Sequence, residues 1–150
     1  MFEQFSQEAR AAVSAAHEEA RMRGDRRLGT EHLFLGVLPA EGAARAVGVD
    51  LATARATLGA LDLAALAVVG IDARDVERVA IPASRKRTPF TSGARTVVKR
   101  TVIEARKAGS RRIEAEHLLL AILSCEPPDP AAELVAALHI DRAEVRDRLR

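Results

Sequence analysis

Two carboxylate and imidazole pairs are the residues best placed to do chemistry: Glu31-His32 and Glu116-His117, the second 85 residues after the first. Each stands at the head of an apolar run, Leu33 to Leu38 and Leu118 to Leu123. A glutamate in the first turn of a helix complements the positive end of the helix dipole, worth about 0.3–1 kcal/mol at a surface. That effect alone is a sufficient reason for Glu31 and Glu116. Arg26-Arg27 and Arg111-Arg112 lie a few residues upstream, as solvated basic turns or as sources of attraction for a phosphate.

Other chemistries find no support. A phosphate-binding P-loop needs Gly-Lys followed by Ser or Thr, and the chain contains no Gly-Lys, so ATP hydrolysis by that route is excluded. His17, His32, His117 and His139 never fall in a His-Glu-x-x-His pattern, so neither a zinc site nor any other cofactor is expected. Cys125 is the single cysteine. It cannot form an internal disulfide, which fits a reducing compartment, and it reads as a small half-buried residue. With 23 basic and 21 acidic residues among 150, the formal charge of +2 does not imply nucleic acid. Glu3, Glu8 and Arg10 interrupt any secretory signal and no segment approaches a membrane span; the expected address is the cytoplasm.

The elements that position the two glutamates repeat as well. The 85-residue offset relates Phe5 to Phe90, Ala9-Arg10 to Ala94-Arg95, Val13 to Val98, Ala20-Arg21 to Ala105-Arg106 and Gly24 to Gly109. Such sustained register predicts two copies of one helical unit. Alanine, leucine, valine and arginine dominate and aromatics are 3%, which favours helix over sheet. Helical spacing of Phe5, Ala9, Val13, Ala16 and Ala20 predicts a first helix over 6–23 capped by Ser6. Thr30 is the expected cap of the second helix, which is apolar all round and therefore buried, and which Pro39 stops. Further helices are expected near 41–47, 50–59, 62–69, 72–80, 130–138 and 141–149. The signals are Val47-Gly48-Val49-Asp50, Val69-Gly70-Ile71-Asp72 and Leu138-His139-Ile140-Asp141, each ending one helix and capping the next. Asp72 with Asp75 and Asp141 with Glu144 have capping-box spacing. The second repeat is expected as a long helix from Thr91 to about Lys107 and an apolar one over 115–124. The expected organisation is all-α: a first repeat over 1–81 with an extra helical hairpin, a basic linker bracketed by prolines over 82–89, and a second repeat over 90–150.

The string Met1-Phe2-Glu3-Gln4-Phe5-Ser6 through Arg21-Met22, with Gly29-Thr30-Glu31-His32-Leu33, resembles the N-terminal domain of the Clp unfoldases, of the ClpC type found in Gram-positive bacteria and actinobacteria. Both copies match. The resemblance implies a non-catalytic module of protein quality control that docks protein substrates or adaptors for a Clp ATPase, or a decoy that sequesters ligands of such a domain. It implies that the glutamate of Gly-Thr-Glu-His recognises phosphoarginine. A carboxylate can accept two parallel bonds from a guanidinium while helix N-termini and arginines attract the phosphate. The implied site is Thr30, Glu31, Arg26 and Arg27, with Glu116, Arg111 and Arg112 in the second copy, where Glu114-Ala115 replaces Gly29-Thr30. The resemblance also implies a groove between the copies, lined by Phe2, Arg10, Val13, Phe90 and Arg95, similar to one that takes cyclic-peptide antibiotics. Two other classes stay open: a small basic regulator binding nucleic acid through Arg85-Lys86-Arg87 and the Arg-Arg turns, and a structural partner whose groove docks a helix.

Overall fold

The structure, a computed structural model, describes residues 3–83 and 88–150. Among them are eight helices and no strand: α1 (Gln7–Met22), α2 (Thr30–Val37), α3 (Glu41–Val47), α4 (Leu51–Val68), α5 (Ser92–Lys107), α6 (Ala115–Leu123), α7 (Pro130–Ala137) and α8 (Arg142–Arg148). The pairs α1/α5, α2/α6, α3/α7 and α4/α8 follow one another in the same order, so the expected all-α tandem repeat is present. Helix starts obey local chemistry. The Ser6 and Thr91 hydroxyls accept the N–H of Ala9 and Ala94, both at 3.1 Å, and Asp50 and Asp141 carboxylates accept those of Thr53 and Glu144.

The two copies interlock. α1 packs on α2 and α5 on α6, but α3 packs on α6 and α8 while α7 packs on α2 and α4. The segment before each long helix also pairs with the other repeat. Ser6 N–H donates to the Ile113 carbonyl and Ile113 N–H to that of Gln4, both at 2.9 Å; Thr91 and Leu28 repeat the exchange with Leu28 and Pro89. Phe5 and Leu28 are fully buried by this exchange. The two apolar helices form the centre: Leu33, Phe34, Leu35 and Val37 of α2, with Leu118 and Leu119 of α6, are wholly buried. Gly36 lets α1 and α2 approach closely, because a Cβ there would collide with the Ala12 carbonyl and the backbone of Ala16. Its counterpart is Ala121, so the second crossing tolerates a methyl group.

The extra hairpin is corrected. The helices expected at 50–59 and 62–69 are one continuous helix, α4, because the interval 59–62 offers only Gly59, Ala60, Leu61 and Asp62 and contains no stop signal stronger than a single glycine. Residues 72–80 form no helix. The Asp72 carboxylate does accept the Arg74 N–H at 3.2 Å, but it closes a local turn. The chain then runs back as a strap over the C-terminal end of α1, where Ile81 N–H donates to the Arg21 carbonyl and the Arg21 guanidinium to the Ile81 carbonyl, each at 2.9 Å. These tertiary bonds override the local capping signal.

The statement that no segment approaches a membrane span is corrected too. α4 has 18 residues and is long and apolar enough by length and composition to cross a membrane. Here Ala54 and Leu58 bury its first half, Arg55 makes a bidentate pair with the buried Glu19 of α1, and its far end carries the exposed Leu63 and Val68.

Candidate functional site

The first glutamate stands where both repeats meet. Gly29, not Thr30, is the N-cap of α2. The orphan N–H of Gly29 is taken by a side chain three residues on: it donates to His32 Nδ1 at 2.9 Å. An Nδ1 that accepts leaves the ring proton on Nε2, which donates to Asp25 Oδ2 at 2.8 Å. His32 is therefore neutral, and at 2% exposed it is a structural cap. Asp25 also receives Arg78 at 3.0 Å and Arg23 at 3.3 Å. Burial pushes its carboxyl up, but the bonds from His32 and Arg78 outweigh burial and hold it down at about 2.

Thr30 does something the expected cap does not. Its side chain reaches the second repeat, where Oγ1 donates to Asp129 Oδ1 at 2.8 Å and accepts the Ala131 N–H at 3.2 Å. Asp129 is itself the cap of α7, accepting from Ala131 and Ala132. Glu31 thus lies beside the starts of two helices, one from each repeat. Its side chain is 21% exposed and folds back over Gly29, where a Cβ would collide with Oε1. That Oε1 is buried and has no hydrogen-bond partner among the described residues. Burial raises the Glu31 carboxyl pKa, and the charges of Asp25 and Asp129 push it the same way. An unsatisfied buried acceptor typically costs about 1–3 kcal/mol, so the fold sustains here a carboxylate oxygen that lacks a donor.

The second glutamate is held otherwise. Glu114 N–H donates to His117 Nδ1 at 2.9 Å, the same cap as in the first repeat. But the residue in the place of Gly29 now has a Cβ, which denies Glu116 the fold-back seen for Glu31. Glu116 instead lies on Gly42 of α3, where a Cβ would collide with its Oε1. The place of Asp25 is taken by Ser110, whose hydroxyl donates at 2.6 Å to the Arg112 carbonyl within its own turn.

The basic turns divide. Arg26, Arg27 and Arg111 are exposed and make no side-chain hydrogen bond among the described residues, whereas Arg112 reaches the Phe5 carbonyl at 3.4 Å. Of the groove residues, Phe2 lies outside the described residues, as do Arg85, Lys86 and Arg87. Arg10 donates to the carbonyls of Phe5 and Glu3, Val13 is buried, and Arg95 is exposed. Phe90 is half-buried edge-on to the His17 ring, with centroids 5.5 Å apart. His17 and Val13 are four residues apart and share a face of α1, so the seam between repeats contains a histidine. Asp25 and Asp129 were not foreseen as neighbours of Glu31, nor Arg78 as a partner of Asp25. Asp129-Pro130 is a legible helix start, but nothing local shows that it meets Thr30.

Comparison with known proteins agrees with this architecture. The model of the Clp repeat (R) N-terminal domain matches residues 4–138. The chloroplastic chaperone protein ClpC2 of Oryza sativa subsp. japonica is 32% identical over 155 residues, covering 99% of this chain and 15% of the rice protein. A ClpA homologue of Guillardia theta, an ATP-binding subunit of the ATP-dependent Clp protease, is also 32% identical and is covered over 17% of its length. The chain therefore spans only a small part of these relatives. In fold it is similar to the N-terminal domain of the Clp-protease-associated chaperone ClpD from Arabidopsis thaliana, with a TM-score of 0.73, 18% identity, and coverage of 99% of this chain and 94% of that one. With the family model matching all but the two ends, this chain belongs to the Clp repeat (R) N-terminal domain family.

Proposed function

We propose that the protein is a non-catalytic binding module that presents protein substrates or adaptors to a Clp ATPase, and that its first repeat recognises arginine-derived groups, phosphoarginine among them. One observation carries this: the buried Oε1 of Glu31 has no donor among the described residues. An incoming guanidinium supplies two parallel N–H groups and satisfies it. Asp25 and Asp129 add negative potential for the cation. The N-terminus of α2 and the exposed Arg26 and Arg27 suit a phosphate carried on the far side of that guanidinium. Glu116 is a weaker second site. The seam of Val13, His17 and Phe90 is a separate docking place for an adaptor or a cyclic peptide.

Calorimetric titration with phosphoarginine, and with arginine as control, tests the proposal on the native protein and a Glu31→Ala/Glu116→Ala variant. The native protein is expected to bind phosphoarginine more tightly than arginine and the variant to bind neither. Equal heats from both proteins would remove the site.

A further inference from the structure

The first repeat has a part that the second lacks, the strap over 72–82, and one of its two arginines reaches the capping network of α2. Arg78 donates from Nη1 to Asp25 Oδ1 at 3.0 Å and to the Arg23 carbonyl at 2.8 Å, and from Nη2 to Asp62 of α4 at 3.0 Å. Asp25 passes the contact to His32 Nε2, and His32 Nδ1 receives the Gly29 N–H, above which Glu31 folds. The strap is seated on a glycine: a Cβ at Gly24 would collide with the Val79 carbonyl. The corresponding Gly109 has no atom within 4 Å of that position.

We propose that Arg78 is a positioning residue for the Glu31 site, acting through Asp25 to keep His32 a neutral acceptor for the Gly29 N–H. This rests on the proposed role of Glu31. The groups that face His32 are Asp25 on the turn and Glu31 on its own helix; behind them stand Arg78 on the strap, Arg23 and Asp62 on the far side of Asp25, and Asp129 of α7 beside Glu31. Among the described residues Asp25 is the only carboxylate bonded to His32 Nε2, and by itself it favours the imidazolium. Protonation at Nδ1 would turn the acceptor of the Gly29 N–H into a donor, so two donors would face one another and the cap would be lost. A guanidinium on Asp25 weakens its pull on that proton. It also lessens the repulsion Asp25 exerts on Glu31, which keeps Glu31 ionised for a visiting cation.

The test is nitrogen-15 NMR of the imidazoles in the native protein, Arg78→Ala and Arg78→Lys, followed by phosphoarginine titration of each. In the native protein His32 is expected to show the Nε2–H tautomer at neutral pH, with Nδ1 as acceptor. In Arg78→Ala the Nδ1 acceptor signal of His32 is expected to weaken in favour of a protonated Nδ1, with an affinity loss of about threefold to tenfold, and Arg78→Lys is expected to restore much of both. His117, which has no such strap, serves as the internal control and is expected not to move. An unchanged His32 spectrum and titration in Arg78→Ala would overturn the proposal. Because the imidazole signals need no ligand, this outcome is read separately from whether phosphoarginine binds.

Discussion

Glu31 and Glu116 begin the same helix in two copies of one unit, yet their surroundings differ, first of all at the residue in the N-cap place. Gly29 leaves room for Glu31 to fold back over its own cap; Glu114 closes that room, and Glu116 crosses to Gly42 of the other repeat. Both glutamates are half-buried, but among the described residues the first has a buried oxygen, Oε1, that lacks a donor. The shared part, a histidine taking the N–H of the cap residue at 2.9 Å in both copies, holds the backbone. What the duplication has varied is the side-chain environment on that backbone, and there the two copies can acquire different affinities without any change of fold.

The largest contrast is expected from removing the carboxylates one at a time. Glu31→Ala should lower phosphoarginine affinity by about two orders of magnitude, the scale of a bidentate charge-assisted pair, whereas Glu116→Ala should lower it by about threefold. Calorimetry on the two single variants measures both. The same Glu31→Ala change should raise the urea midpoint by the equivalent of about 1 kcal/mol, because it removes an unsatisfied buried acceptor. Affinity and stability would then move in opposite directions at Glu31.

Next in size is the crossing of α1 and α2. Gly36→Ala forces a methyl group against the Ala12 carbonyl and should cost about 2 kcal/mol by overpacking. Ala121→Gly, at the matching place, should cost about 1 kcal/mol through helix propensity alone. Equal losses in urea denaturation would mean that the two crossings are not packed differently.

An exchange at the cap sharpens the comparison of the sites. Gly29→Ala should displace Glu31 and weaken phosphoarginine binding about tenfold, while Glu114→Gly should free Glu116 and strengthen the second site. Titrations of Gly29→Ala, and of Glu114→Gly in a Glu31→Ala background, separate the two effects.

The smallest effect is on pH-dependent stability. Asp25 has a depressed folded-state value of about 2, so its contribution is complete above the ordinary aspartate range and is lost as pH falls through about 2. Glu31 is raised, so its ionisation burdens the folded state, and that burden lifts as pH falls through its raised value. Relative to the native protein, Glu31→Gln should lose a rise in stability on mild acidification, and Asp25→Asn should lose part of the fall at lower pH. Urea midpoints at pH 7, 5 and 3 distinguish them.

Much of the scaffold was legible because its signals are local. Ser6, Asp50, Thr91 and Asp141 cap the helices they precede, and the 85-residue register pairs α1 with α5 and α2 with α6. The failures are contacts made at a distance. Asp72 looked like a helix start, but the segment after it is claimed by Arg21, Arg23 and Asp25, more than 50 positions earlier in the chain. Gly59 looked like a break, although one glycine costs a helix interior only about 1 kcal/mol. Thr30 looked like a cap because its hydroxyl suits one, whereas its partner is 99 residues away. The site was half legible: Glu31 from its place at the head of α2, but its surroundings from no local pattern, since Asp129 and Arg78 arrive through the interlocking of the repeats and the course of the strap.

The carboxyl carbon of Glu31, followed by carbon-13 NMR through a pH titration with and without saturating phosphoarginine, tests the central claim most directly. The free protein is expected to titrate Glu31 above the ordinary glutamate range, and the bound protein well below that free value, because a guanidinium favours the ionised carboxylate. A Glu31 titration that phosphoarginine leaves unmoved would contradict the account.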